Sequence, residues 1–157
     1  MSLQKHVRLL ILALLSGVVS GVIFYFLNVS RSVPLTPCSS VINNASFMDD
    51  ENQRYYFSGS VTWWPKENKI SFFGVKKTDE RLITVKRILT LEQVQQSRNV
   101  VSAQVSDVSI SPGDSLGRNN VMFSGKGDSV MMMFKHLNHN SWLLMLNDNW
   151  ILMCVNK

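Results

Sequence analysis

The chain has 157 residues, with 16 Lys and Arg against 11 Asp and Glu and a formal charge of +5. The basic residues are scattered rather than gathered into a stripe, which argues against direct nucleic-acid binding. Setting aside the first 27 residues leaves 130, with a net charge of +3, enough for one domain with its own core.

The N-terminus reads as a membrane anchor. Leu9–Leu27 is an uncharged run of nineteen mostly apolar residues. As a helix it would be about 28 Å long, close to the ~30 Å hydrocarbon core of a bilayer. Lys5 and Arg8 precede the run, and no acidic residue occurs before Asp49. Positive charge is retained in the cytoplasm, so residues 1–8 are expected inside and the rest of the chain outside. A cleaved secretory signal is the competing reading. It fits less well, because the apolar run is long and ends in the bulky Phe24-Tyr25-Phe26-Leu27 rather than in small residues. Ala13, Gly17 and Gly21 recur every four residues and form one small-residue face on which a second helix could pack closely.

Residues 28–52 are polar, contain Pro and Ser, and lack periodicity, so they read as a linker. Period-two alternation then begins and defines a β domain over 53–157. The expected strands are Gln53–Thr62, Lys69–Lys76, Arg81–Leu89, Val100–Ser111, Asn119–Ser124, Ser129–Leu137, Ser141–Leu146 and Trp150–Val155. Alternation slips between Val105 and Val108, which predicts a bulge. Leu91–Arg98 is ambiguous, since Thr90 and Gln93 could cap a short helix. Eight strands with short Gly-, Asn- and Asp-rich connections predict a mainly β fold. The expected architecture is an antiparallel meander closing into a small barrel or half-barrel of lipocalin-like (calycin) type.

The last thirty residues are the most apolar part of this domain. Between residues 128 and 157 the only charges are Asp128, Lys135, Asp148 and Lys157. Met131-Met132-Met133-Phe134 and Trp142-Leu143-Leu144-Met145-Leu146 are apolar at successive positions, so both faces of these strands are apolar. One face fills the barrel. The other must be covered by the chain itself, by a partner protein or by an amphipathic ligand. Met131, Met132, Met133, Phe134, Trp142 and Leu144 are the candidate contacts, with methionine supplying an adaptable surface.

Cys38 and Cys154 are the only cysteines. In an exported domain they read most simply as one intramolecular disulfide, against the alternatives of two buried thiols or an intermolecular bond. Catalytic signatures fail on inspection. Gly113-Asp114-Ser115-Leu116 spells the GDSL of a hydrolase family, but the companion blocks with the base and the oxyanion donors are absent. His136 and His139 enter an Asn-rich turn with no acidic or cysteine cluster, so no metal site is expected. No cofactor is expected either.

A short basic N-terminus, one span with small residues, Cys38 soon after it, a β-rich exported domain and the terminal strand WILMCVNK together resemble the FidL-like family of enterobacterial membrane proteins. Its members include MyfF-like and PsaF-like proteins, and ToxS and VtrC are more distantly similar. The resemblance implies a non-enzymatic accessory in the bacterial inner membrane, with its C-terminal domain in the periplasm. Its implied partner is a ToxR-like membrane transcription regulator, whose periplasmic domain it binds and stabilises. In VtrC-like members the paired periplasmic domains hold bile salts. A stand-alone barrel binding an amphipathic ligand such as a bile salt or lipid is the alternative.

Overall fold

The computed structural model describes residues 3–29, 32–48, 53–78, 81–116, 125–147 and 150–156, with helix side chains described over 11–25. The chain divides into two units, Met1–Ser32 and Val33–Lys157. The first holds α1 (Leu3–Val29), a continuous helix that extends past both expected ends of the apolar run. Its side chains from 11 to 25 are uncharged and all exposed. Among the described residues no helix is long and apolar enough to cross a membrane.

The second unit is a closed barrel of eight antiparallel strands in chain order, each paired with the next and the last with the first. They are β1 (Cys38–Met48), β2 (Arg54–Trp64), β3 (Lys69–Lys77), β4 (Leu82–Ser97), β5 (Val100–Ile110), β6 (Ser129–Asn138), β7 (Ser141–Leu146) and β8 (Trp150–Asn156). Alternation sends one set of side chains inward. On β4 these are Ile83, Val85, Arg87, Leu89 and Leu91, and on β6 they are Val130, Met132 and Phe134. Each fully buried large apolar side chain contributes roughly 1.5–3 kcal/mol relative to exposure. Gly59 and Gly74 stand opposite each other on β2 and β3. A Cβ on either would collide with the backbone of the facing strand, so glycine permits the close approach there.

Trp150 organises the aromatic part of the core. Its ring stacks on Phe47 at 4.2 Å and meets Phe57 at 5.3 Å and Phe72 at 6.1 Å. Such pairs contribute about 0.5–1.5 kcal/mol each beyond burial. Lys76 is buried nearby, its Nζ 4.4 Å from the centre of the Tyr55 ring.

Cys38 and Cys154 are joined in a disulfide, with Cα atoms 5.4 Å apart across 116 residues of sequence. The bond crosses the β1–β8 seam, where Cys38 pairs with Asn156 and Ser39 with Val155.

Three elements differ from expectation. Residues 38–48 form a barrel strand rather than linker. The inward residues Cys38, Ser40 and Ile42 are even-numbered, whereas Tyr55 on β2 faces the odd-numbered Phe47. Asn44, at φ 49°, sits in the register shift between Ile42 and Ala45, so the alternation changes parity mid-strand and escapes a period-two reading. Leu91–Ser97, ambiguous in the sequence, continues β4. Gln93, at φ 52°, falls in a register shift between Glu92 and Gln95, which again breaks the pattern. Trp63 and Trp64, beyond the expected strand end at Thr62, complete β2. The bulge expected between Val105 and Val108 is present: Leu91 pairs with Val105 but Thr90 with Asp107. The expected strand Asn119–Ser124 lies outside the described residues.

Candidate interaction surface

β6, β7 and β8 form a three-strand wall whose register is continuous from Met132 to His136 on β6. Met133 pairs with Met145, which pairs with Ile151. One step along, Lys135 pairs with Leu143, which pairs with Met153. All six of these side chains are on the outer face, because the alternating neighbours Met132, Phe134, Leu144, Leu152 and Cys154 are buried inside. Met131 and Val155 extend the same face at its two ends, and Val41 on β1 lies beyond the seam.

This outer wall is apolar, and no described residue covers it. Ile151 and Met153 are each 62% exposed and Met133 is 37% exposed, while Leu143 and Met145 are half-buried by their neighbours. Among the described residues Lys135 is the one charged side chain on the outer face of the three strands. Contiguous exposed apolar side chains of this kind mark interaction sites on soluble domains.

Four expected contacts lie elsewhere. Met132, Phe134, Trp142 and Leu144 point into the barrel and are core residues. Only Met131 and Met133 of the expected set reach the surface. Leu143, Met145, Ile151, Met153 and Val155 were not singled out, because both faces of β7 and β8 are apolar and hydropathy alone does not say which set points outward. The seam register decides it: Cys154 must face inward to reach Cys38, which turns Ile151, Met153 and Val155 out.

Among the helix residues, Ala13, Gly17 and Gly21 fall on one face of α1, and a Cβ on either glycine would meet nothing within 4 Å. Ser16 Oγ donates to the Ala13 carbonyl at 2.9 Å.

The GDSL segment is a structural latch. Arg87 Nε and Nη2 donate to Asp114 Oδ2 and Oδ1, each at 3.0 Å. The backbone amides of Lys86 (2.8 Å) and Leu116 (3.0 Å) donate to the same carboxylate. Burial alone pushes the Asp114 carboxyl up, but these hydrogen bonds and the guanidinium charge outweigh it and hold the carboxyl below its ordinary value. Ser115 Oγ accepts from the Thr84 amide at 2.9 Å, and the Ser115 amide donates to the Thr84 carbonyl. Gly113, at φ 85°, supplies the left-handed turn the latch requires. His136 is exposed and meets the Trp142 ring edge-on at 4.7 Å. No group of three metal-ligating side chains occurs among the described residues.

A cleft of about 650 Å³ opens where the chain enters the barrel, lined by Trp63, Pro65, Lys66, Val94 and Val101 among others. The chain matches no protein-family profile, no curated protein and no solved structure.

Proposed function

We propose that this protein is a membrane-anchored, non-enzymatic accessory whose exported barrel binds and stabilises the periplasmic domain of a ToxR-like transcription regulator. The observation that carries this reading is the outer wall of β6–β8, where Met131, Met133, Leu143, Met145, Ile151, Met153 and Val155 present apolar surface that the described chain leaves uncovered. The regulator as partner comes from the resemblance of the chain's layout to FidL-like proteins. The uncharged, exposed side chains of residues 11–25 support placement of α1 in a bilayer, with Lys5 and Arg8 retained in the cytoplasm. The disulfide supports an oxidising compartment for the barrel, which fits the periplasm. Engagement of Asp114 and Ser115 in the latch fits a protein without hydrolase chemistry.

The test is photo-cross-linking in membranes from cells that co-express the full-length chain and a ToxR-like regulator from the same organism. A cross-linker at Met133, Met145 or Met153 should form adducts with the regulator, and one at Lys77 on β3 should not. Adducts from Lys77 alone, or none from β6–β8, would overturn the reading.

The cleft beside Trp63 favours a second reading, in which the barrel alone binds an amphipathic molecule. Its volume falls in the range of small-molecule sites, and Lys66 stands at a mainly apolar wall. Binding of a bile salt or lipid by the protein without any partner supports that reading.

A further inference from the structure

The β1–β8 seam is built differently from the rest of the barrel. The β2–β3 ladder runs unbroken from Tyr56 paired with Lys77 to Trp64 paired with Lys69, and β7–β8 from Ser141 paired with Val155 to Leu146 paired with Trp150. The β1–β8 ladder ends after two residue pairs, Cys38 with Asn156 and Ser39 with Val155. β1 runs on to Met48, and near its far end the Phe47 ring stacks on Trp150 across the seam. The disulfide therefore sits where backbone pairing is thinnest, and it links the first strand to the last.

The surroundings of the disulfide add a second observation. Ser40 Oγ, Trp142 Nε1 and Asn156 Oδ1 are buried and have no hydrogen-bond partner among the described residues. All three belong to the same end of the barrel: Ser40 is two residues along β1 from Cys38, Trp142 pairs with Cys154, and Asn156 pairs with Cys38. A buried polar group with no partner is destabilising, and exposure to water relieves it. Opening this end hydrates three such groups while breaking only a short ladder.

We propose that Cys38–Cys154 is a redox-controlled closure of the barrel: its reduction opens the β1–β8 seam while the remaining seams stay paired. A dithiol supplies the two electrons. One of its thiolates attacks a sulfur of the bridge to form a mixed disulfide, and its second thiolate displaces the protein sulfur. The reagent ends as a disulfide, and Cys38 and Cys154 end as thiols, taking the two protons. Both cysteines are fully buried, so the attack goes through local opening of the seam. β8 keeps its full ladder to β7, so the outer wall stays assembled while its margin toward Val41 comes away. The inference rests on the barrel alone and stands whether or not a regulator is the partner.

The test uses the full-length protein in nanodiscs, oxidised and after dithiothreitol treatment, followed by amide hydrogen exchange and by alkylation mass shift. The expected result is two alkylated thiols without unfolding. Exchange at Ser39–Ile42 and Leu152–Asn156 should quicken by more than about tenfold, and that in β2 and β3 by less than about twofold. Cys38→Ser with Cys154→Ser, measured without reductant, should reproduce the pattern. Should that variant fail to fold, the native-reduction arm decides. Resistance of the bridge to dithiothreitol in the folded protein, unchanged exchange at the seam after reduction, or faster exchange spread over all eight strands overturns the proposal.

Discussion

Arg87 and Asp114 form a two-pronged ion pair in the barrel, with side chains 3% and 1% exposed. Arg87 occupies an inward position of β4 that alternation would give to an apolar residue, and the loop after β5 brings its counter-charge. Removing one member of such a pair costs about 3–5 kcal/mol, because the other is left as a buried charge. Asp114→Asn should therefore lower the denaturation midpoint sharply. Arg87→Met combined with Asp114→Leu should recover part of the loss. Equal losses for the single and double variants, measured by urea denaturation, would contradict the pairing.

The pH dependence follows from the same pair. Because the folded carboxyl is held below its ordinary value, its contribution is fully present above the unfolded carboxylate range. It is lost as pH falls through the folded value. Thermal melts of wild type and Asp114→Asn should show a wide gap at neutral pH that closes on acidification. A gap that widens toward acid would reverse the sign and exclude this role.

β6 offers a test of alternation in two adjacent methionines. Met132 is fully buried and Met133 is on the outer wall. Met132→Ala should cost about 2–5 kcal/mol. Met133→Ala should stay within about 0.5 kcal/mol. Comparable losses in denaturant melts would mean that the two faces of β6 are misassigned.

Strands bounded by clear turn residues were legible in the sequence, and β6 and β7 match their expected ranges to within a residue. Legibility failed where a residue at positive φ changed the parity. Asn44 hid β1 inside an apparent linker, and Gln93 disguised the end of β4. Two strand faces that are both apolar cannot be sorted by hydropathy, so Trp142 and Leu144 were named as contacts although their side chains are buried in the barrel. The disulfide followed from compartment and cysteine number, but nothing local pairs Arg87 with Asp114. Their meeting is a product of the closed sheet and of the turn at Gly113.

Within the proposed anchor, the small face of α1 predicts helix association. Gly17→Ile with Gly21→Ile keeps the segment apolar but fills the groove that close packing needs. An in-membrane association reporter should lose signal while insertion is unchanged. Unchanged signal would reduce α1 to a plain anchor.

A charge scan tests most directly whether the outer wall of β6–β8 is a protein-binding surface. Met133→Asp, Ile151→Asp and Met153→Asp each place a carboxylate on an exposed position, so the barrel should melt close to wild type. Burying that charge unpaired in a complex costs several kcal/mol. Co-purification of the full-length chain with the proposed ToxR-like regulator should therefore drop by at least about tenfold for each variant, a loss that corresponds to about 1.4 kcal/mol. Lys77→Asp on β3 should leave it intact. Wild-type recovery of the regulator by all three well-folded variants would contradict the claim.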